Sequence, residues 1–521
     1  MGARGVRGAG PGLVAMAALA AAGSATAAPL ASGPVLTLGS SGPEATAASS
    51  VAVTDAGDAL LVTGRWRGAN NPVVLQVRQR RGARGAFTAP ANVSPSGSWG
   101  GVQSALGANG DAYVAYPAPG GGLAVKVRRG WTGPWRDISP ASAAGAEVTG
   151  IRLATTPGSR GRLLDVLWVE DRVPGPATGG QVLRGARRTA SSWIPQPDAP
   201  MAGTSIALAP GGAAITVAST PDGRILASVR GGFNGTWDGP VELARVAGAP
   251  IGPAGIHVSA SVSRTGVVSA GWTGIPAGAT THHAFVAQRL TAAPAWGAPV
   301  DLGEGLSAPR TAVSGGGTFA GWAVSDDDRS PTAVRIAPPG GPFGAPASIP
   351  FTGALRPRLS ADGSWLAAVF QGANVASSAA LMVFADTPAG PVRRTPILLG
   401  SAGASDAGAR SALLAVSQPE DGRAIVALVG VDRLGPLGLA APGRVRAGTS
   451  VAVRLELWRR TRVALTVRGT RLPAIVRTLP AGRSVVRVPL PARAGTYTVR
   501  AIGRELTGRS GLRQEVVVRA R

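Results

Sequence analysis

The 521-residue sequence predicts an all-β protein: a β-propeller of seven or eight blades, with eight preferred, followed by a β-sandwich. The first observation behind this prediction is a four-strand pattern that recurs about every fifty residues. The second is the abundance of turn residues, 76 Gly and 43 Pro, between short runs rich in Val, Ala and Leu. The third is that the repeat stops near Leu437, where a different alternating pattern begins.

Each repeat contains four short strands. A tight turn with Gly, and often Asp, joins the first two strands, and the second strand often ends in an aromatic residue. After a loop and a third strand, an aromatic residue and Pro lead into the fourth, as the stretch from Val102 to Pro140 shows. Such a unit buries both faces only by stacking against its neighbours around an axis, which is typical of a propeller blade. We expect first strands to begin near Val51, Val102, Ile151, Ser205, His257, Pro309, Leu355 and Ser411.

The two ends of the repeat array complement each other. The eighth unit, from Ser411 to Gly430, contains only two strands, which we assign as the first and second of a blade. Near the other end of the chain, the stretch from Pro34 to Leu38 matches the fourth strands of other units. Pairing these segments would close the ring and remove the open seam between the first and last blades. This pairing predicts eight blades, whereas an irregularly packed last unit would leave seven.

The first 27 residues are typical of a secretory signal peptide. Arg4 and Arg7 precede an apolar run from Leu13 to Ala22 that is too short to span a bilayer, and a small-residue cleavage site ends at Ala27. We therefore expect a secreted or extracellular protein with no membrane span, whose propeller occupies residues 28–436. The sequence contains no Cys, which excludes disulfides, thiolate nucleophiles and thiolate metal ligands.

The basic charge is concentrated in residues 437–521. The whole chain has a formal net charge of +25, and this segment alone contains eighteen Arg and three Glu. A strongly cationic domain on an exported protein favours an anionic cell-surface or cell-wall polymer as its partner, while nucleic acid would bind only non-specifically. A surface that contacts only solvent, with Arg reflecting genome composition, is the alternative. The candidate contacts are Arg459, Arg460, Arg462, Arg483 and Arg487, at spacings that would line a sheet face.

The same segment contains about six short alternating strands, which suggest a β-sandwich. Three stretches, Arg462–Val467, Pro480–Arg483 and Ala494–Tyr497, resemble the immunoglobulin-like domains appended to many secreted actinobacterial proteins. This resemblance implies an immunoglobulin-like spacer or attachment module, and it brings no active site with it.

The propeller repeats resemble, more loosely, those of sialidase-like and BNR-type propellers. A sialidase needs an Arg cluster, a Tyr nucleophile activated by Glu, and an acid/base Asp. Tyr113 and Tyr116 lie on a second strand and Tyr497 lies in the tail, and core packing explains all three positions. The stretch from Ser360 to Trp365 departs from the Asp-box of that family in spacing and in position. A carbohydrate-active enzyme, either a sialidase-like hydrolase or a lyase, remains the alternative, with no catalytic residue assigned.

Ligand-binding candidates lie on the propeller face that carries the longer loops. The loops between second and third strands share this face with the connections between blades, so we expect a ligand site there, near the axis. Trp99 has no counterpart in the other repeats, whereas the periodic aromatic residues are expected in the core. Three adjacent Asp could supply carboxylates to Ca²⁺, with a solvated acidic loop as the alternative. The candidates are Trp99, Glu170, Asp171, Arg172, Asp326, Asp327 and Asp328.

These observations favour a non-enzymatic recognition or scaffold protein, monomeric and without a required cofactor. Its looped face would bind an extracellular ligand such as a glycan, and its basic tail would attach it to an anionic surface polymer. His282 and His283 are adjacent on a predicted strand and point to opposite faces, so we do not expect them to share a metal ion.

Overall fold

The computed structural model describes most of the chain as β-strands and the turns between them. The described parts are residues 36–38, 45–54, 57–66, 73–82, 86–96, 101–142, 145–156, 163–171, 180–246, 258–290, 295–314, 317–324, 332–337, 341–349, 352–354, 358–359, 365–371, 379–385, 392–393, 402–407, 411–418, 423–430, 438–457, 461–479, 482–504 and 512–521. The predicted signal peptide, residues 1–27, lies outside them. The described residues contain no helix with the length and hydrophobicity that crossing a bilayer requires.

The first short strand, β1 (Leu36–Leu38), is followed by six sheets that use four consecutive strands each. Their strands pair in sequence order and in antiparallel fashion, which is the pattern predicted for the repeat. Sheet 1 contains β2 (Ala45–Val53), β3 (Ala59–Trp66), β4 (Val73–Arg80) and β5 (Ala91–Ser96). Sheet 2 contains β6 (Gln103–Leu106), β7 (Ala112–Pro117), β8 (Leu123–Arg128) and β9 (Trp135–Asp137). Sheet 3 contains β10 (Glu147–Thr155), β11 (Leu164–Asp171), β12 (Gln181–Arg188) and β13 (Trp193–Gln196).

The next three sheets keep this order. Sheet 4 contains β14 (Ser205–Leu208), β15 (Ala214–Ser219), β16 (Arg224–Arg230) and β17 (Val241–Arg245). Sheet 5 contains β18 (Val258–Val262), β19 (Val268–Gly274), β20 (His283–Arg289) and β21 (Val300–Glu304). Sheet 6 contains β22 (Arg310–Ser314), β23 (Gly317–Ala323), β24 (Thr332–Ala337) and β25 (Ala347–Ile349).

In sheet 7 the place of the first strand is divided between two short strands, which both pair with the second. Its strands are β26 (Thr352–Ala354), β27 (Arg358–Leu359), β28 (Trp365–Gln371), β29 (Ala379–Ala385) and β30 (Val392–Arg393). Sheet 8 contains β31 (Ala402–Ala407), β32 (Ser411–Gln418) and β33 (Arg423–Gly430), with β1 as its fourth strand.

Consecutive sheets pack against each other through their first strands. Strand β2 contacts β6, β6 contacts β10, and the series continues through β14, β18, β22, β27 and β31 back to β2. The first strands therefore form an unbroken cycle, and the later strands of each sheet extend outward from it. This is the arrangement of a β-propeller, in which each sheet buries its two faces against its neighbours.

Sheet 8 joins the two ends of the repeat array. Leu36 of β1 pairs with Val426 of β33, so the predicted pairing of the N-terminal segment with the last unit is confirmed. The assignment of the Ser411–Gly430 unit to first and second strands is wrong, because β32 and β33 are the second and third strands. The first strand is β31, whose Ala, Gly and Ser residues lack the β-branched side chains by which strands are identified.

The core of the propeller lies between its sheets. Trp168, Trp272 and Trp322 end second strands and are almost fully buried, and Tyr116 occupies the same position in sheet 2. The cluster between sheets 2 and 3, for example, joins Trp168 to Val125 of the neighbouring sheet. The prediction that the periodic second-strand aromatic residues are core residues is confirmed for these four positions.

An Arg ends the third strand in each of sheets 1 to 5. In four of these sheets its guanidinium lies over the aromatic residue that precedes or begins the fourth strand, at 5.4 to 5.9 Å from the ring centroid. A cation above an aromatic face is attracted by the negative potential of the ring. The pairs are Arg80 with Phe87, Arg128 with Trp135, Arg188 with Trp193, and Arg230 with Trp237.

The remaining strands form two further sheets, which share no strand with the propeller. Sheet 9 contains β34 (Gly438–Ala440), β36 (Ser450–Leu457) and β39 (Gly482–Pro489). Sheet 10 contains β35 (Arg444–Val445), β41 (Leu512–Ala520), β40 (Gly495–Arg504), β37 (Thr461–Val467) and β38 (Ile475–Leu479). Val451 and Val488 of sheet 9 pack with Val463 and Val518 of sheet 10 in one core. The predicted boundary after residue 436 falls between β33 and β34.

Candidate functional site

A cleft of about 600 Å³ lies between sheets 2 and 3, at the end where the second strands finish. The loop Pro117–Gly122, between β7 and β8, forms one wall, and the residues from Gly145 to Gly150 form the other. Its volume falls within the range typical of small-molecule sites. This looped-face cleft is on the propeller face where the sequence predicted a ligand site.

Glycine shapes the wall of the looped-face cleft. Gly120, Gly121 and Gly122 have φ angles of 138°, 92° and 86°, values that side chains other than Gly rarely adopt. A Cβ on Gly121 would lie 2.7 Å from the backbone of Gly145. The two walls therefore approach each other through bare main chain.

Two carboxylates face each other at this end of sheet 3. Glu147 of β10 pairs in register with Asp171 of β11, and Asp171 pairs with Gln181 of β12. The Gln181 side-chain amide donates to the Asp171 carboxylate at 3.2 Å. Directly opposed residues have Cβ atoms about 4.5–5.5 Å apart, so the two like charges lie close together. Glu147 is exposed and also lines the looped-face cleft.

Glu170 occupies a different environment from its neighbour Asp171. Its carboxylate is fully buried and accepts hydrogen bonds from Arg184 Nε at 2.5 Å and Trp168 Nε1 at 3.3 Å. A buried charge with one cationic and one neutral donor is satisfied within the protein. Of the predicted ligand-binding residues, Glu170 thus supports the end of β11 from inside, whereas Asp171 is half-buried.

Several predicted contacts lie outside the described residues. These are Trp99, Arg172, Asp326, Asp327, Asp328, Arg459 and Arg460. Trp99 is two residues before Gly101, which lines the looped-face cleft. Among the described residues, no group of three or more His, Asp or Glu is placed to hold a metal ion. The proposed Ca²⁺ ligands are not among those residues.

The tyrosine positions are explained by packing. Tyr113 is fully buried, and its hydroxyl accepts a hydrogen bond from Arg129 at 3.1 Å. Arg129 also binds Asp111 at 2.6 Å. Burial raises the pKa of Tyr113 to about 12. A buried phenol with a raised pKa is a poor nucleophile, in agreement with the structural role predicted from the sequence.

The predicted tail arginines do not share one surface. Arg487 is exposed on sheet 9 beside Val485, which is 63% exposed, and Arg483 lies further along the same strand, in register with Glu456. Arg462 is exposed on sheet 10, and the common core separates the two sheets. The tail therefore carries positive charge on two outer faces.

Sequence reasoning missed further exposed cations of the tail. Arg454 lies opposite Val485 on sheet 9, and Arg519 is exposed on sheet 10. Their position directly after buried Val453 and Val518 was the available signal, because successive side chains of a strand point to opposite faces. Glu515 is paired with Arg500 at 2.7 Å and with Arg468 at 3.7 Å, so the described carboxylate of this region is already engaged.

No family model matches the sequence, and no curated protein matches it. Solved propeller structures are similar in fold. Chaetomium thermophilum Sqt1, bound to the N-terminus of a ribosomal protein, is 12% identical with a TM-score of 0.47, over 74% of this chain and 98% of that chain. A variant of the Aleuria aurantia lectin in complex with α-methyl-L-fucoside is 13% identical with a TM-score of 0.33, over 61% and 97%. AofleA from Arthrobotrys oligospora is 13% identical with a TM-score of 0.33, over 61% and 90%. These similarities assign no ligand to this chain.

Proposed function

We propose that the protein is a secreted, non-enzymatic recognition protein attached to the outer cell surface. Its eight-bladed propeller presents the looped-face cleft to an extracellular glycan, and its immunoglobulin-like domain binds an anionic polymer of the surface or wall. The observation that carries this proposal is the excess of exposed Arg on the two outer faces of the tail. The closed cycle of sheets supports eight blades, and the two sheets around one core support the sandwich.

Attachment through the tail follows from its charge. The segment from Leu437 contains eighteen Arg against three Glu, and Glu515 already pairs with two of the Arg. A polyanion that binds such a surface releases its condensed counterions, so its affinity falls steeply with salt concentration. Arg454 and Arg487 on sheet 9, and Arg462 and Arg519 on sheet 10, are among the exposed cations of the tail and are the contacts we propose.

A salt-titrated sedimentation assay with purified cell wall tests the attachment. We expect half-maximal retention at a lower salt concentration for Arg454→Gln/Arg487→Gln and for Arg462→Gln/Arg519→Gln. The slope of log affinity against log salt should also become shallower, by roughly one for each contact removed. The exposed propeller residues Arg81 and Arg136, changed to Gln, provide the charge-matched control. Retention that is independent of salt, or unchanged without residues 437–521, would refute the electrostatic attachment.

Glycan binding at the looped-face cleft is the second part of the proposal. The cleft offers main-chain groups on both walls and one exposed carboxylate, Glu147, which can accept hydrogen bonds from sugar hydroxyls. A glycan array with the full chain should identify a ligand, and Glu147→Gln should weaken its binding by about tenfold. The exposed carboxylate Asp222, changed to Asn, is the control. An equal loss of glycan affinity in Glu147→Gln and Asp222→Asn would contradict this role. So would an array on which the parent protein binds no glycan.

One observation favours the alternative of a glycoside hydrolase or lyase. Glu147 and Asp171 are directly opposed across the β10–β11 pair, and glycoside hydrolysis uses two carboxylates that flank the scissile bond. Turnover of the glycan identified on the array, measured by release of reducing ends, would establish the enzyme if Glu147→Gln and Asp171→Asn each abolish it. The recognition protein predicts binding of that glycan without release of any product.

A further inference from the structure

A second cavity, which shares no lining residue with the looped-face cleft, lies at the rim between the outer strands of sheets 4 and 5. This rim groove is formed by residues Val241–Leu243 of β17 and by the segment 295–299 that precedes β21. Its volume is about 430 Å³. Val241 beside it and Val300 at its end are each 41% exposed. Two departures from the propeller repeat meet in this groove.

The first departure concerns the aromatic ring of Trp296. In sheets 1 to 4 the corresponding ring is covered by the Arg that ends the third strand. In sheet 5 that residue is Arg289, whose guanidinium binds the carboxylate of Asp238 in the preceding sheet. Among the described residues, no guanidinium lies over Trp296. Trp296 is half-buried and packs against the core between sheets 4 and 5, and the place that an Arg side chain takes in sheets 1 to 4 is not taken by Arg289 here.

The second departure concerns the carboxylate of Glu242. At the same distance beyond the fourth-strand aromatic, Asn92 in sheet 1 accepts a hydrogen bond from Gln76 at 3.1 Å, and Asp301 in sheet 5 contacts His283 at 2.8 Å. Glu242 instead faces the apolar Leu226 across the strand pair. Its described ion-pair partner is Arg245 at 3.5 Å, and both side chains are largely exposed. Solvent screening makes an exposed pair of this kind weak.

We infer that the rim groove binds a guanidinium group, such as an arginine side chain of a partner polypeptide. The group would stack on Trp296, as four arginines of this chain stack on the equivalent rings, and its N–H groups would donate to Glu242. Val241 and Pro299 line the remaining wall and would contact the aliphatic part of the side chain. The rim groove is separate from the looped-face cleft, and this inference does not depend on glycan binding there.

The repeat itself indicates the ligand class. The rings of Phe87, Trp135, Trp193 and Trp237 show that a guanidinium fits above the aromatic residue at this place in the fold. A planar cation with several donors also matches a carboxylate better than a compact ammonium does. A neutral sugar could stack on the ring and donate to Glu242, but it lacks the positive charge that the chain places above the ring in sheets 1 to 4.

Saturation-transfer NMR with N-acetyl-arginine methylamide tests the site on the full chain. We expect binding of this probe and at least about tenfold weaker binding of the citrulline analogue, which is isosteric and neutral. Glu242→Gln should weaken the arginine probe by a similar factor. The Asp222→Asn variant, an exposed carboxylate elsewhere on sheet 4, should bind like the parent.

Variants of Arg289 provide the sharpest test. Asp238→Asn should release Arg289 to cover Trp296, as its counterparts do, and binding should be lost although no residue of the groove has changed. Arg289→Gln should retain binding, and the double variant should regain it. Circular dichroism checks that each variant is folded. Equal binding of the two probes, unchanged binding in Asp238→Asn, or Glu242-dependent binding of a neutral monosaccharide would each overturn the inference.

Discussion

The guanidinium of Arg230 illustrates, at the scale of single residues, how this chain uses its arginines. It lies 5.4 Å from the Trp237 ring and donates to Gly212 O at 3.0 Å, with only 1% of the residue exposed. Burial lowers its pKa to about 10. The Arg surplus of the propeller is therefore partly architectural. Sequence reasoning could treat it only as charge, because the cross-strand partner of a residue depends on register.

Replacing Arg230 by Lys should destabilise the propeller by about 1–3 kcal/mol. The ammonium is more strongly hydrated than the guanidinium and cannot stack on the ring while donating in the plane. Urea unfolding followed by circular dichroism measures the change, and Arg81→Lys, at the exposed turn that follows β4 in sheet 1, is the control. A change at Arg230 no larger than at Arg81 would show that the stack contributes nothing.

The pH dependence of stability should contain a contribution from Asp165. Burial raises the pKa of this carboxyl above its usual value of 3.8, although Arg187 Nε donates to it at 2.8 Å. The folded protein then binds more protons at this site than the unfolded chain does. The contribution of Asp165 to stability therefore falls as the pH rises from 3.8 through the raised native pKa.

Comparison with Asp165→Asn isolates this contribution. The variant does not titrate at this position. As the pH rises from 3.8 through the raised pKa of Asp165, the unfolding free energy of the parent should therefore fall relative to that of the variant. Urea titrations at several pH values measure it. A difference that does not change with pH would contradict the raised pKa of Asp165.

Strand alternation predicted some residue roles, and it also contained the information that Glu170 is buried, which sequence reasoning did not use. Trp168 was expected in the core, and Glu170, two residues later on the same strand, must lie on the same face. Arg184 is opposite Trp168 on the next strand, which places a cation beside that carboxylate. The pairing became visible only once the register was known, because the β11–β12 loop does not fix it.

At the scale of elements, second and third strands were predictable because their Val, Leu and Trp alternate clearly. Strand β31, with the sequence Ala-Gly-Ala-Ser-Asp-Ala, has no such pattern. Sequence reasoning therefore missed it and assigned β32 and β33 as first and second strands, although they are the second and third. The looped-face cleft was expected on the correct face. Its exact place between sheets 2 and 3 was not, since loops distant in sequence form it.

The loop between β7 and β8 offers a matched pair of substitutions. Gly120→Ala and Gly121→Ala both place a side chain at positive φ, which costs of the order of 1 kcal/mol. Only at Gly121 would the new Cβ also lie 2.7 Å from the backbone of Gly145, whereas at Gly120 it would meet no atom within 4 Å. We expect a clearly lower melting temperature for Gly121→Ala. Equal melting temperatures would show that the two walls of the cleft separate without cost.

At the scale of the whole molecule, the propeller depends on a strand from the other end of the repeat array. Leu36, Thr37 and Leu38 pair with Val426, Ile425 and Ala424, and β2 contacts β31 on the adjoining sheet. The ring is thus closed by a contact between the first and last parts of the array. Closure of this kind makes the ends of the propeller fold together, and it could be predicted because the N-terminal segment resembles the fourth strands.

Removing β1 tests this closure. A chain that lacks residues 28–39 should leave β33 as an open edge, whose unpaired N–H and C=O groups favour pairing with another molecule. We expect a lower melting temperature and concentration-dependent association in analytical ultracentrifugation. The matched control lacks only residues 28–32, which precede the strand. The longer deletion could instead remain monomeric and melt like the control. That result would show that β1 does not stabilise the ring and that other contacts protect the edge of β33.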